Sequence, residues 1–464
     1  MTAQLRRLGA IALCFLGFKR CMALVCAFLV IGFMNFFFGR ECSLALVFWI
    51  GWPIPMAERF DVLVQGITQE DALSLLFAKT ASVDRPADRY FAATRLGMST
   101  CEQTLDALIR ATYELKIDEL FDRITRRKVI EALGRRKDRR AIPALISVLT
   151  CTDTEAVINA ILALIRIGWF PGKNEETLLL SLLDGEITQC RAVIQAYARL
   201  GIKSEHSRLK IAKLCCHESS LVSGAARACL CRLYGETGLM RPLVPQLTDL
   251  VAGKRRSAVI DIGDSLNQGL LPELVRAPVS MSLRAKSFFQ IVEAHQTISE
   301  PSVQQLLKRL LLDNPLLLDM KSEWQCGVDA SQIEANLSHR DEARQYGAAA
   351  SLMSISRGDC LAIVDSMETR LWSDYVTHYY LTCIVGLRQL KEKGYLVRAA
   401  LSETTPQYAK SRIAAAWACV VLDLDDQLEL LYELSNSSPW APLRWSCGQA
   451  FAALVDKRQV SHSF

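Results

Sequence analysis

The sequence predicts an all-α protein: a curved solenoid of stacked two-helix repeats with a hydrophobic extension at its N-terminus. Three observations predict it. Apolar residues recur at helical spacing, and the alternating Val/Ile/Thr runs of a sandwich are missing. Ala, Leu and Arg, all good helix formers, dominate the chain. Helical runs end at glycine repeatedly, at near-equal intervals, which is how a repeat array announces itself.

The N-terminal segment stands apart. Residues 21–38 read CMALVCAFLVIGFMNFFF, with Asn35 the one strongly polar member, and a second apolar run spans Cys42 to Trp52. Three readings of residues 1–55 stand: sequence upstream of a true start at Met56, a membrane anchor, or a buried helix. The first run is long enough to span a bilayer, and the basic residues ahead of it would keep the N-terminus cytoplasmic. No A-x-A cleavage site follows, which disfavours a signal peptide. Met56 opens a stretch with the character of a soluble protein. Its Thr68-x-x-Asp71 is a capping box with Asp in place of Glu.

The repeats follow. RYFAATRLG ends at Gly97, RRKVIEALG at Gly134, INAILALIRIG at Gly168, AVIQAYARLG at Gly201 and AARACLCRLYG at Gly235, at intervals of 37, 34, 33 and 34 residues. Small Ala residues let helices approach, and Leu, Ile and Val at i, i+3, i+4 and i+7 make the buried stripe. Each glycine is read as the left-handed residue that stops a helix. After Gly134 the partner helix is AIPALISVL, with Pro143 in its first turn. One pair cannot bury its own apolar face, so the array is stable only as an array. This is the pattern of HEAT-like, armadillo-type repeats. Further helices are expected over 284–295, 342–355, 374–390, 408–422 and 443–455, and the Gly- and Pro-richer stretch 241–283 reads as a hinge. The domain reading is therefore 1–55 as the hydrophobic segment, 56–240 as N-terminal repeats and 241–464 as C-terminal repeats.

Charge narrows the function classes. The net charge of +5 comes almost wholly from residues 1–55, where five basic residues face Glu41 alone. The remainder is nearly neutral, which argues against nucleic-acid binding. The sixteen cysteines form no CxxC pair and no regular framework, so most read as reduced, buried thiols of a cytoplasmic protein. No P-loop, GxGxxG after a strand, HExxH or GxSxG is present. Six histidines make a metal cluster improbable, and no metal is expected.

Three clusters carry chemistry. Arg89, Tyr90 and Arg95, then Arg126, Arg127, Lys128, Glu131, Arg135 and Arg136, lie on successive repeats, where guanidiniums can meet ligand carboxylates bidentately; an inter-repeat salt-bridge ladder is the plainer reading. Cys216-His217, with Cys215, Cys229 and Cys231 near, could pair a thiol with a proton relay; buried thiols with a capping histidine are the plainer reading. Trp372, Asp374, Tyr375, His378 and Tyr379 place a carboxylate, an imidazole and aromatic faces within about a turn, with Asp374/His378 and Tyr375/Tyr379 at i,i+4. That face suits a flat, conjugated, nitrogen-rich ligand; an aromatic packing stripe is the plainer reading.

RYFAATRLG and especially ITRRKVIEALGRRKDRRAIPAL resemble the E/F-type phycobilin lyases of cyanobacteria, and most of all the single-chain branch that acts on phycoerythrin α subunits. The likeness begins near Met56, is closest from Tyr90 to Gly235 and weakens beyond. It implies an enzyme that attaches an open-chain tetrapyrrole, phycoerythrobilin as substrate rather than resident cofactor, to a cysteine of a phycoerythrin α subunit through a thioether. Some family members also isomerise it to phycourobilin. The resemblance implies Arg89, Arg126 and Arg127 for the propionates, Asp374 for the pyrrole nitrogens, and Tyr375, His378 and Tyr90 for stacking or proton donation. Cys216 and His217 are the pair for isomerisation; a related isomerising subunit carries His-Cys, the reverse order. A scaffold or chaperone for antenna assembly is the competing reading, and a membrane-anchored adaptor takes residues 1–55 at face value.

Overall fold

A computed structural model describes residues 64, 66–78 and 88–461. The chain divides into two units, Met1–Trp52 and Pro53–Phe464, and all described residues lie in the second. The readings of residues 1–55 therefore fall outside the described residues.

Among the described residues there are helices and turns and no strand. The first helix, α1 (Gln69–Phe77), begins as expected at Thr68, whose hydroxyl accepts from the Asp71 N–H and donates to its carboxylate at 2.7 Å. There follow α2 (Asp88–Leu96), α3 (Glu102–Glu114), α4 (Leu120–Arg136), α5 (Ile142–Val148), α6 (Thr154–Ile167), α7 (Lys173–Leu182), α8 (Ile187–Leu200), α9 (Glu205–Leu214) and α10 (Ser220–Tyr234). Then come α11 (Ala252–Ser265), α12 (Leu271–Arg276), α13 (Met281–His295), α14 (Pro301–Leu312), α15 (Ala330–Leu337) and α16 (Glu342–Ser354). The chain ends through α17 (Arg357–Leu371), α18 (Tyr375–Leu387), α19 (Gly394–Ser402), α20 (Ala409–Leu422), α21 (Leu428–Ser437) and α22 (Ala441–Ser461).

Helices α2, α4, α6, α8, α10, α11 and α13 pack one on the next as an inner row, while α3, α5, α7 and α9 each lean on an inner helix from outside. The same two-row order returns with α16, α18, α20 and α22 inside and α15, α17, α19 and α21 outside. From Ala228 to Leu454 the buried apolar side chains form one continuous cluster, as stacked repeats require.

The repeat glycines divide into two kinds. Gly168, Gly201 and Gly235 are the left-handed stops that the spacing predicts, with φ of 74°, 71° and 73°. Gly97 and Gly134 are not. Helix α4 runs through Gly134 and stops at Lys137, which itself takes the left-handed conformation. At these two glycines the absent side chain lets neighbouring inner helices touch: a Cβ on Gly97 would stand 2.7 Å from Ala132 Cβ, and one on Gly134 2.7 Å from Ala163 Cα.

The stretch read as a hinge replaces an outer helix with two 3-10 turns, Thr237–Leu243 and Pro245–Thr248, and then enters α11, which is braced on both sides. Arg191 of α8 pairs with Asp261 at 2.6 Å, close by Gly224 of α10, where a Cβ would stand 2.6 Å from the same carboxylate. Toward the other side, Arg255 pairs with Asp341 and Arg256 with Glu342 at 2.7 Å, both at the start of α16.

Candidate functional site

An arginine stands two residues before Gly168 and Gly201, as Arg166 and Arg199, and three before Gly235, as Arg232. Their spacing matches the repeat, so they recur at nearly one position on α6, α8 and α10 and stand in file along the inner row. The file opens on α4. Glu131 accepts from Lys128 Nζ at 2.6 Å and from Arg135 Nη2 at 2.9 Å. Burial opposes its charge, yet Lys128 and Arg135 hold its carboxyl down at about 2. The file closes on α11 with Asp264, which is buried. Its carboxylate accepts two bonds of 2.9 Å from Arg199, one of 3.2 Å from Gln195 and one of 3.0 Å from Gln290 of α13.

Lys286 lies one turn before Gln290. Burial and then the charge of Arg199 lower its pKa to about 7, with Asp264 opposing and Arg166 adding to the fall. Burial lowers Arg166 too, with Glu131 opposing and Arg135 and Arg199 adding. Arg166 and Lys286 thus share one electrostatic neighbourhood although α8, α10 and α11 lie between their helices. Lys128 apart, its cations are only partly buried. Lys128, Glu131 and Arg135 belong to the first cluster read from the sequence; the sign of Arg166 and Arg199 is a lone arginine two residues before a repeat glycine.

The arginines read as carboxylate ligands are engaged between repeats. Arg89 is 3% exposed and donates to Asp122 at 2.5 Å and to the Leu76 carbonyl. Arg126 donates to the Thr112 carbonyl at 2.9 Å and to Cys151 Sγ at 3.5 Å. Arg127 forks onto Asp153, which also caps α6. Adjacent helical residues diverge by about 100°, so Arg126 and Arg127 cannot serve one ligand from one face. Of this group Tyr90 meets the file: Lys128 Nζ sits 5.1 Å from its ring centroid.

The C-terminal cluster is assembled in part. His378 is buried between the Trp372 indole, 3.8 Å away centroid to centroid, and Tyr408, 4.7 Å away. Burial lowers its pKa to about 4 against the pull of Glu403, so at neutral pH it is an uncharged imidazole. Its Nδ1 is buried with no hydrogen-bond partner among the described residues. Asp374 does not share a helix face with His378: it is the N-cap of α18, and its carboxylate accepts from the Thr377 N–H at 2.8 Å. Tyr375 is partly buried in the first turn. Tyr379 turns away from that corner into a sealed hub, donating to Asp313; burial and then the Asp313 charge push its phenol well above the ordinary value. Trp372, Asp374, Tyr375 and His378 thus share one corner, and α6, α8, α10, α11, α13 and α16 separate it along the row from Arg126 and Arg127 on α4.

Cys216 is exposed at the end of α9, and His217 Nδ1 accepts from the Ser219 N–H at 2.9 Å, closing the turn. Cys215, Cys229 and Cys231 are buried thiols, and burial pushes Cys229 up to about 12. Elsewhere a cavity of about 360 Å³ opens between α14, α20 and α22, lined by Leu312, Trp417, Val421 and Lys308, and no residue of the file borders it. No helix among the described residues is long and apolar enough to cross a membrane.

The repeat family described as PBS lyase HEAT-like repeat matches residues 125–151, the span from α4 through α5. Among curated proteins the chain is similar to the uncharacterized phycocyanin operon protein Y of Pseudanabaena tenuis, 28% identical over 356 residues, which is 76% of this chain and 84% of that one. It is 31% identical to the bilin biosynthesis protein PecE of a Nostoc species over 214 residues, 44% of this chain and 81% of PecE. It is 25% identical to the bilin biosynthesis protein CpeY of a Synechococcus species over 384 residues, 79% of this chain and 89% of CpeY. Fold and matched repeat together define a HEAT-like helical-repeat protein. The likeness to PecE, across most of that protein, goes further: the chain belongs to the E/F-type phycobilin lyase family.

Proposed function

We propose that the protein is a phycobilin lyase that joins phycoerythrobilin, through a thioether, to a cysteine of a phycoerythrin α subunit in the cytosol. Besides the family, the observation that supports this is the polarity of the inner row. A scaffold gripping only client helices needs a bland apolar face. This row instead carries Lys128, Glu131, Arg135, Arg166, Arg199, Asp264 and Lys286 in one file. The thiol belongs to the client, so the lyase needs no nucleophile of its own. It has to hold the bilin, balance its two propionates and supply a proton as sulfur adds to the ethylidene carbon. Isomerisation to phycourobilin is the finer alternative, and needs a second proton removed and returned elsewhere on the conjugated system.

The test is co-expression with bilin-synthesising enzymes and a phycoerythrin α subunit. A covalent adduct on the subunit is expected, and its absorption separates phycoerythrobilin from phycourobilin because isomerisation shortens the conjugation. No adduct on any phycobiliprotein subunit, with the lyase folded, leaves the scaffold reading.

A further inference from the structure

We infer that the cavity between α14, α20 and α22 is the centre of a docking groove for an amphipathic helix of the client subunit. This goes beyond the lyase reading and rests on it only for the identity of the partner.

Two helix faces build the groove. On α22, Trp445, Gln449, Ala452, Ala453 and Asp456 fall at i, i+4, i+7, i+8 and i+11, one face about 16 Å long. On α20, Trp417, Val420 and Val421 form the matching face, and the Trp417 and Trp445 rings stand 6.1 Å apart, centroid to centroid. Helix α14 leans on both helices and brings Leu312 and Lys308 to the cavity, yet about 360 Å³ stays open between the three. Packed interiors leave few voids larger than a water molecule, so this space is a seat rather than a packing flaw. Its floor is apolar. Ala452 is exposed and, like Ala453, small, so a partner's backbone can come close. Trp417 adds a large indole wall, the kind of side chain that anchors protein interfaces.

Charge selects the occupant. Lys308 of α14 and Asp456 of α22 both line the cavity and are exposed, and neither makes an ion pair or a hydrogen bond among the described residues. Lys308 Nζ meets the Trp417 ring, 5.5 Å from its centroid. The two residues after Asp456 behave otherwise: Lys457 pairs with Asp423 at 2.7 Å and Arg458 with Asp425 at 3.2 Å. A helix with an apolar ridge, flanked by an acidic side chain for Lys308 and a basic one for Asp456, matches both walls. A stripe of about three turns suits such a rod better than a compact small molecule.

The test measures binding of a phycoerythrin α-subunit apoprotein to the full chain by titration calorimetry, without bilin. Ala452→Trp fills the groove from an exposed position and should weaken binding at least ~10-fold. Lys308→Glu and Asp456→Lys should each weaken it about 3–10-fold, an effect that added salt should shrink. Hydrogen exchange along α22 should slow when the subunit is added and stay unchanged with phycoerythrobilin. No binding by the unaltered chain, variants that melt normally and bind as before, or protection of α22 by the bilin alone would overturn the groove. If Ala452→Trp does not fold, the two charge reversals decide, since both positions are exposed. Adduct formation, assayed in parallel, separates the two ideas. An adduct formed by the unaltered chain, with binding unchanged in the variants, overturns the groove alone. Binding weakened in the variants, with no adduct formed by the unaltered chain, supports the groove and overturns the lyase reading.

Discussion

Two regions of this molecule are built from the same side chains and do opposite work. In the hub behind α13, Arg284 donates to the carbonyls of Val275 and Val279 at 2.6 and 2.8 Å, to Tyr346 at 3.0 Å and to Asp313. Tyr346 donates to the same carboxylate at 2.8 Å, and Tyr379 joins it. One cation meets one anion, and each side chain is 1% exposed. Along the file on α4 to α13 charged side chains stand on successive helices, most of them only partly buried, and Arg135 keeps a buried Nη1 with no acceptor among the described residues. The same side-chain types are sealed in one region and partly exposed in the other.

The hub should break hardest. Asp313→Asn leaves the Arg284 charge buried without its anion, and chemical denaturation should show a loss of about 3–5 kcal/mol. A loss under 1 kcal/mol would mean that the hub is wet or loosely made, and the contrast with the file would fail.

Next is the packing that holds the file in register. Gly134→Ala drives a methyl to 2.7 Å from Ala163 Cα, so α4 and α6 must part. Overpacking of this kind costs about 1–3 kcal/mol. It should also weaken bilin binding, because Glu131 and Arg135 on α4 would shift against Arg166 on α6. Stability lost with binding kept would show that the file tolerates a change in spacing.

Lys286 tests the other half of the comparison through pH. Its folded pKa, about 7, lies below the ordinary lysine value of 10.5. Between those values the unfolded chain holds the proton more firmly, so this group makes stability rise as pH goes from 7 to 10.5 and costs most at and below pH 7. Lys286→Met should therefore stabilise the protein near pH 7 by about 1–2 kcal/mol after solvent screening is allowed for, and flatten the rise toward pH 10. A destabilised variant would place Lys286 with the balanced charges of the hub.

Much of this architecture is legible in the residues, and the parts that are not share a cause. The glycine period, Pro143 and the Thr68 cap are local devices, and each is found where spacing and chemistry put it. Gly97 and Gly134 look the same as the stops, but their role depends on a neighbour one repeat away. Asp374 reads as a helix-face carboxylate until one sees that α18 begins at Tyr375, which makes it a cap. The paired Arg126 and Arg127 are conspicuous because they are adjacent, and adjacency sends them to different partners. Arg166 and Arg199 are inconspicuous because each stands alone, yet recurrence at the repeat period is what gathers side chains onto one face.

The smallest effect is expected where the sequence offers its most suggestive pair. Cys216 is exposed and His217 spends its Nδ1 on the Ser219 amide, so neither is held against the other or against the file. Cys216→Ser should alter stability by no more than about 0.5 kcal/mol and leave both the yield and the absorption of the adduct unchanged. His217→Asn can still cap the turn, and should behave alike. If instead either change shifts the product spectrum while attachment persists, a proton is being moved at the end of α9. The outer row would then share the chemistry that the file alone is assigned above.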